Sequence, residues 1–115
     1  MISLADTIGN SSIDSIAHIY TSATQHFKKL DIGLHLHSNP DAVYNKIETA
    51  WNSGCRRFDV TINGYGGCPF AQDSLIGNIP TEKLLNFLSY HKIDHSLDLL
   101  AFESAYNQAK NVFNI

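Results

Sequence analysis

The chain has 115 residues, 43% of them hydrophobic and 17% charged, which suits one globular domain and argues against two. Its net charge of −3 has no basic run behind it, because Lys28-Lys29 and Arg56-Arg57 are isolated doublets, so neither nucleic acid nor an anionic membrane surface is an expected partner. No apolar stretch approaches the ~20 residues of a transmembrane helix, and the N-terminus lacks a secretory signal pattern. Two cysteines, Cys55 and Cys68, are too few for a disulfide framework. The expectation is a soluble protein of a reducing compartment, cytoplasmic or, in a eukaryote, mitochondrial.

Residues 2–5 form a short strand-like segment ending at Asp6-Thr7, and Gly9-Asn10 turns the chain into a helix capped by Ser11 or Ser12. Ile13, Ile16, Ala17, Tyr20, Ala23 and Phe27 recur at helical spacing, and Lys28-Lys29 follows where positive charge suits the helix dipole. Residues 32–37 then alternate: Ile32, Leu34 and Leu36 share one face, and Gly33, His35 and His37 the other. Asn39-Pro40 reads as an N-cap with proline at the first helical position. The stripe of Ala42, Val43, Ile47, Ala50 and Trp51 follows, ended by Gly54. A third strand is expected where Phe58, Val60 and Ile62 alternate with Asp59, Thr61 and Asn63. Residues 64–78 make a glycine-rich loop, longer than the ~2 to 6 residues usual between a strand and a helix. A capped helix with Thr81 ahead of Leu84, Leu85 and Leu88 comes next, and residues 97–113 form a last amphipathic helix through Leu100, Ala101, Ala105, Ala109 and Val112.

Strands and helices alternating in this way predict an α/β fold with a parallel sheet. About three parallel strands and four helices in one domain over residues 1–115 make a partial (β/α)8 barrel. Such a sheet has two open edges and a barrel needs eight strands, so an N-terminal half-barrel, or a second copy of the chain, is expected as its complement.

The candidate chemistry sits at the C-terminal ends of the predicted strands, where barrel active sites are built. His35 and His37 point to one face about 6.5 to 7 Å apart at the backbone, within reach of one metal ion. Spacing alone is equally compatible with two hydrogen-bonded histidines. Asp6 ends the first strand. Cys68 lies in Gly64-Tyr65-Gly66-Gly67-Cys68-Pro69-Phe70, a loop able to carry a thiol onto a substrate, although cysteine is more often an inert small hydrophobe. The Asn78 oxygen suits a hard cation or, more commonly, a turn. Asp59 and Thr61 share the inward face of the third strand, as supporting groups or as filling. Cys55, directly after the helix stop, reads as structural, and His18, His26, His91 and His95 as solvated.

These segments together resemble the hydroxymethylglutaryl-CoA lyases and, more distantly, the isopropylmalate and homocitrate synthases. The resemblance rests on Ser3-Leu4-Ala5-Asp6-Thr7-Ile8-Gly9, His35-Leu36-His37, the loop residues 64–71 around Cys68, and Gly77-Asn78 leading into Thr81-Glu82. The Gly-Gly-Cys-Pro sequence favours the lyases. The resemblance implies that the three strands are the sixth to eighth of the barrel. It implies that His35, His37 and Asn78 ligate Mg2+ or Mn2+, that Asp6 and His35 belong to the catalytic centre, and that Cys68 protonates the departing acetyl-CoA carbanion. The implied reaction is retro-Claisen cleavage of an acyl-CoA substrate, 3-hydroxy-3-methylglutaryl-CoA, to acetoacetate and acetyl-CoA.

The chain departs from that pattern at Ser38, where many members carry aspartate, and the stretch from Cys68 to Asn78 is one residue longer than in some relatives. The family's strand-one Asp-Arg pair has no counterpart among the 115 residues, so the chain alone is expected to be inactive. A non-catalytic half-barrel subunit and a synthase-like acyltransferase are the alternative readings.

Overall fold

Residues 2–5 and 32–35 form the parallel pair that their alternation predicts. β1 (Ile2–Ala5) and β2 (Ile32–His35) run in register from Ile2 opposite Ile32 to Ala5 opposite His35. The structure, a computed structural model, describes residues 1–67 and 75–113. α1 (Ile13–His26) makes the crossover; its cap is Ser12, whose hydroxyl accepts from the Ser15 amide at 3.1 Å, while Ser11 turns away toward Asp6.

The next unit follows its sequence signals closely. The Asn39 side chain accepts from the Ala42 amide at 3.0 Å, and Pro40 opens a short 3-10 turn that runs into α2 (Val43–Asn52). Gly54, at a φ of 102°, ends it with paired hydrogen bonds from Gly54 N to Trp51 O and from Cys55 N to Ala50 O. Ile32, Leu34 and Leu36 face the helices and are buried with Ile16 and Tyr20 of α1 and Val43, Ile47 and Ala50 of α2. Each of the buried Ile, Leu and Val side chains contributes roughly 1.5 to 3 kcal/mol by leaving water. Tyr20 joins them because its hydroxyl donates to Ile32 O at 3.1 Å.

Three expectations change. The strand predicted for residues 32–37 breaks at Leu36: His37 belongs to β3 (His37–Ser38), which pairs antiparallel with β4 (Gly77–Asn78). The third parallel strand is reduced to two bridges, Phe58 with Leu34 and Thr61 with Pro80. Its hydrogen bonds serve two neighbours in turn, Asp59 N donating to Leu34 O at 2.9 Å and Thr61 N to Ile79 O at 3.1 Å, so no continuous ladder forms. Thr81 does not cap its helix; α3 (Thr81–Tyr90) begins with it, because its amide is already held by Thr61 O at 2.8 Å. The result is an α/β unit of four helices and few strands.

α4 (Leu99–Val112) starts after Asp98, whose carboxylate accepts from the Leu100 and Ala101 amides. Its predicted apolar stripe faces outward, with Leu100 80% and Val112 73% exposed, and none of its residues is buried. No helix among the described residues is long and apolar enough to cross a membrane.

The inward face of the sheet is polar, and Gly33 makes room for it. A Cβ on Gly33 would lie 2.6 Å from the Arg57 Cζ and 2.7 Å from Arg57 O. Arg57 Nη1 donates to Ser3 Oγ at 3.0 Å, and Nη2 donates to Ile2 O, tying the segment after α2 to β1. Gly33→Ala is therefore expected to lower stability by about 1 to 3 kcal/mol, read as an earlier urea midpoint. An unchanged midpoint would show that Arg57 is free to move aside.

Candidate functional site

The β3–β4 register places His37 directly opposite Asn78, which brings two of the expected ligands together from 41 residues apart in sequence. His37 is 9% exposed. Its Nδ1 lies 2.8 Å from Asp6 O, and a carbonyl can only accept, so Nδ1 is the donor and Nε2 is the ring atom left for a ligand. His35 is held similarly but more loosely, its Nδ1 3.4 Å from Asp59 Oδ2. The two imidazoles stand with their centroids 5.2 Å apart.

Asn78 is clamped the other way round. Its Nδ2 donates to Tyr65 O at 2.9 Å and to Gly66 O at 2.6 Å, which spends both amide protons on the glycine-rich loop. Its Oδ1 is buried without a hydrogen-bond partner among the described residues. A buried amide oxygen left in that state costs about 1 to 3 kcal/mol, so a donor or a cation belongs there. Among the described residues no three His, Cys, Asp or Glu side chains converge on one point. Asn78 carries an oxygen donor on the residue paired with His37, and nitrogen and oxygen donors of this kind suit a divalent cation without selecting one.

Asp6 is a hub rather than an open carboxylate. Oδ1 accepts from Asn10 N at 3.1 Å, and Oδ2 accepts from Ser11 N at 3.2 Å, from the Ser11 hydroxyl, and from Lys46 Nζ at 3.3 Å. Burial pushes its carboxyl upward, but the Ser11 hydroxyl and amide and the Lys46 ammonium outweigh this and hold the group below its usual range. Lys46 is itself 4% exposed and donates to His37 O at 2.9 Å and to Gly9 O at 3.4 Å.

Lys46 is the site residue that sequence reasoning missed. Its signal was present: it shares the helical face of Val43, Ile47 and Ala50, a single cation within an apolar stripe. Asp59 does reach the inward face, accepting from Ser3 Oγ at 2.7 Å and lying beside His35. Thr61 instead braces the loop, its hydroxyl donating to Tyr65 O at 2.8 Å. Ser38 gives His37 no support, since its hydroxyl donates to Asn39 O. Cys68 lies outside the described residues. Cys55 is fully buried, with its thiol pushed up by burial, in keeping with a structural role. His91 is not simply solvated, because its ring stacks on Phe87 and its Nε2 lies 3.3 Å from the Tyr44 hydroxyl. A largely apolar cavity of about 220 Å³ opens beside Leu4, Asp6, Ile16, Ile19 and Leu36; neither histidine lines it.

Comparison with known proteins finds relatives over most of the chain. The HMGL-like family model matches residues 1–108. The chain is 33% identical over 104 residues to an (R)-citramalyl-CoA lyase of Chloroflexus aurantiacus, covering 90% of this chain and 32% of that protein. It is 31% identical over 104 residues to the hydroxymethylglutaryl-CoA lyase YngG of Bacillus subtilis, covering 90% of this chain and 34% of the relative. Among solved structures, an HMG-CoA lyase from Acinetobacter baumannii in complex with coenzyme A and 3-methylmalate superposes with a TM-score of 0.84 at 29% identity, over 97% of this chain and 36% of that one. The chain thus spans about a third of the length of the relatives it matches.

Proposed function

The chain belongs to the HMGL-like family, and from that premise we propose that it forms part of the active site of a cation-dependent carbon–carbon lyase acting on 3-hydroxy-3-methylglutaryl-CoA. The observation that carries this reading is the pairing of His37 with Asn78, whose Oδ1 is buried without a partner among the described residues, together with the 5.2 Å approach of the His35 and His37 rings. In this reading His35, His37 and Asn78 hold Mg2+ or Mn2+, and β1, β2 with β3, and residues 58–63 correspond to the sixth to eighth strands of a (β/α)8 barrel. A cation bound there supplies Lewis-acid polarisation of the substrate oxygens.

The protein groups do the positioning. Asp6 and Asp59 fix the histidine tautomers, and the Tyr65 and Gly66 carbonyls hold the Asn78 amide by its nitrogen, which leaves its oxygen as the donor for a cation. In cleavage the hydroxyl proton passes to a general base, the C–O bond becomes the ketone C=O, and the electron pair of the breaking C–C bond passes to the thioester fragment as its enolate. Cys68 is proposed to return a proton to that carbon, giving acetyl-CoA, while the other fragment leaves as acetoacetate. The strand-one Asp-Arg pair that the resemblance calls for is not among these residues, and a second copy would lack it too, so the complete reaction is assigned to a barrel in which an N-terminal half-barrel supplies that pair.

A second acyl-CoA has a specific claim, since the Chloroflexus relative is named for citramalyl-CoA. The two thioesters share the tertiary alcohol and differ by one methylene before the distal carboxylate, a difference worth only about 1 to 3 kcal/mol of discrimination. The deciding experiment replaces the matching third of the Bacillus subtilis relative with residues 1–115 and assays both thioesters. Acetoacetate with acetyl-CoA is the expected product pair; pyruvate with acetyl-CoA would move the assignment to the second substrate, and a folded, inert chimera would remove the lyase reading. In the active chimera Cys68→Ser is expected to lower turnover by about 100-fold or more.

A further inference from the structure

Lys46 closes a ring of interactions around one imidazole. His37 Nδ1 donates to the backbone oxygen of Asp6, the Asp6 carboxylate accepts from Lys46, and the same ammonium donates to the backbone oxygen of His37. A third contact reaches Gly9 O in the turn that follows Asp6. One side chain from α2 therefore holds both ends of the hydrogen bond that sets the His37 tautomer. Ser38, the neighbour best placed in sequence to support that histidine, turns to Asn39 instead.

We propose that Lys46 is a positioning residue for cation binding, acting through Asp6 and the His37 backbone to hold the His37 ring with its Nε2 free for the ion. Three features support this. The lysine is 4% exposed, so its charge is kept inside the protein by its partners and not by water. Its three acceptors all belong to the two strand ends that meet at His37. The Asp6 carboxylate accepts from four donors and has little capacity left for a substrate or an ion, so its part is to join Lys46 to the site.

The inference rests on the proposed role of His37 as a ligand, and two readouts on the 115-residue chain separate the ideas. Side-chain ¹⁵N–¹H NMR reports the His37 tautomer without any metal, and the EPR signal of free Mn2+ reports affinity. Wild type is expected to show a protonated Nδ1 and a bare Nε2. Lys46→Met should convert a substantial fraction to the other tautomer and weaken Mn2+ binding by about 10- to 100-fold. Lys46→Arg should restore most of both. A folded Lys46→Met chain with an unaltered tautomer overturns the proposal. A shifted tautomer in a chain whose wild type binds no Mn2+ leaves the positioning role intact and overturns the cation reading. Lys46→Gln, which keeps one donor for His37 O and removes the charge, is read in the same way if the methionine variant fails to fold.

Discussion

Asp6→Ala should destabilise the chain by about 3 to 5 kcal/mol, because it leaves the Lys46 ammonium buried with only backbone oxygens for company. The two side chains are 5% and 10% exposed, so water cannot take over the lost pairing. The substitution also frees the Asn10 and Ser11 amides that shape the turn into α1. Equilibrium urea unfolding measures the change, and a loss below about 1 kcal/mol would show that the ammonium finds another partner or moves to solvent. The same pair predicts a pH dependence. The Asp6 carboxyl is held low in the folded chain, so its stabilisation is complete above the unfolded value of about 3.9 and disappears as pH falls through the still lower folded value. Wild type should lose this increment on acidification, and Asp6→Ala should show no such component.

His37→Ala should weaken Mn2+ binding by about 100-fold or more, near 2.7 kcal/mol at least. The variant removes one nitrogen donor and also the ring that packs at 5.2 Å from His35. His35 is more exposed and more loosely held, so His35→Ala is expected to cost less, about 10- to 100-fold. Asn78→Leu separates polarity from shape: it removes the buried oxygen and releases the Tyr65 and Gly66 carbonyls together. Isothermal titration of the three variants gives the ranking, and equal affinities for all of them would place the ion elsewhere.

How much of this was readable in the sequence differs by the kind of signal. The alternation of Leu34 and Leu36 with His35 and His37 gave the direction of each side chain correctly, because period two fixes faces whatever the partner strand. It did not tell which partner each residue takes, and so the break at Leu36 and the antiparallel pairing of His37 with Asn78 were not foreseen. Asn39-Pro40 and Gly54 were legible because capping chemistry is local. Lys46 was not, since a lysine costs a helix nothing and only tertiary packing decides whether it is buried. The face of α4 was misread for a similar reason: small and apolar residues at helical spacing carry no information about whether anything covers them.

The proposal that His35, His37 and Asn78 hold one cation is tested most directly by pulsed EPR of the Mn2+-loaded chain. Nitrogen modulation from two imidazoles, weakened to that of one in His37→Ala, is the predicted result. Mn2+ bound without any nitrogen coupling, or with coupling unchanged by His37→Ala, would contradict it.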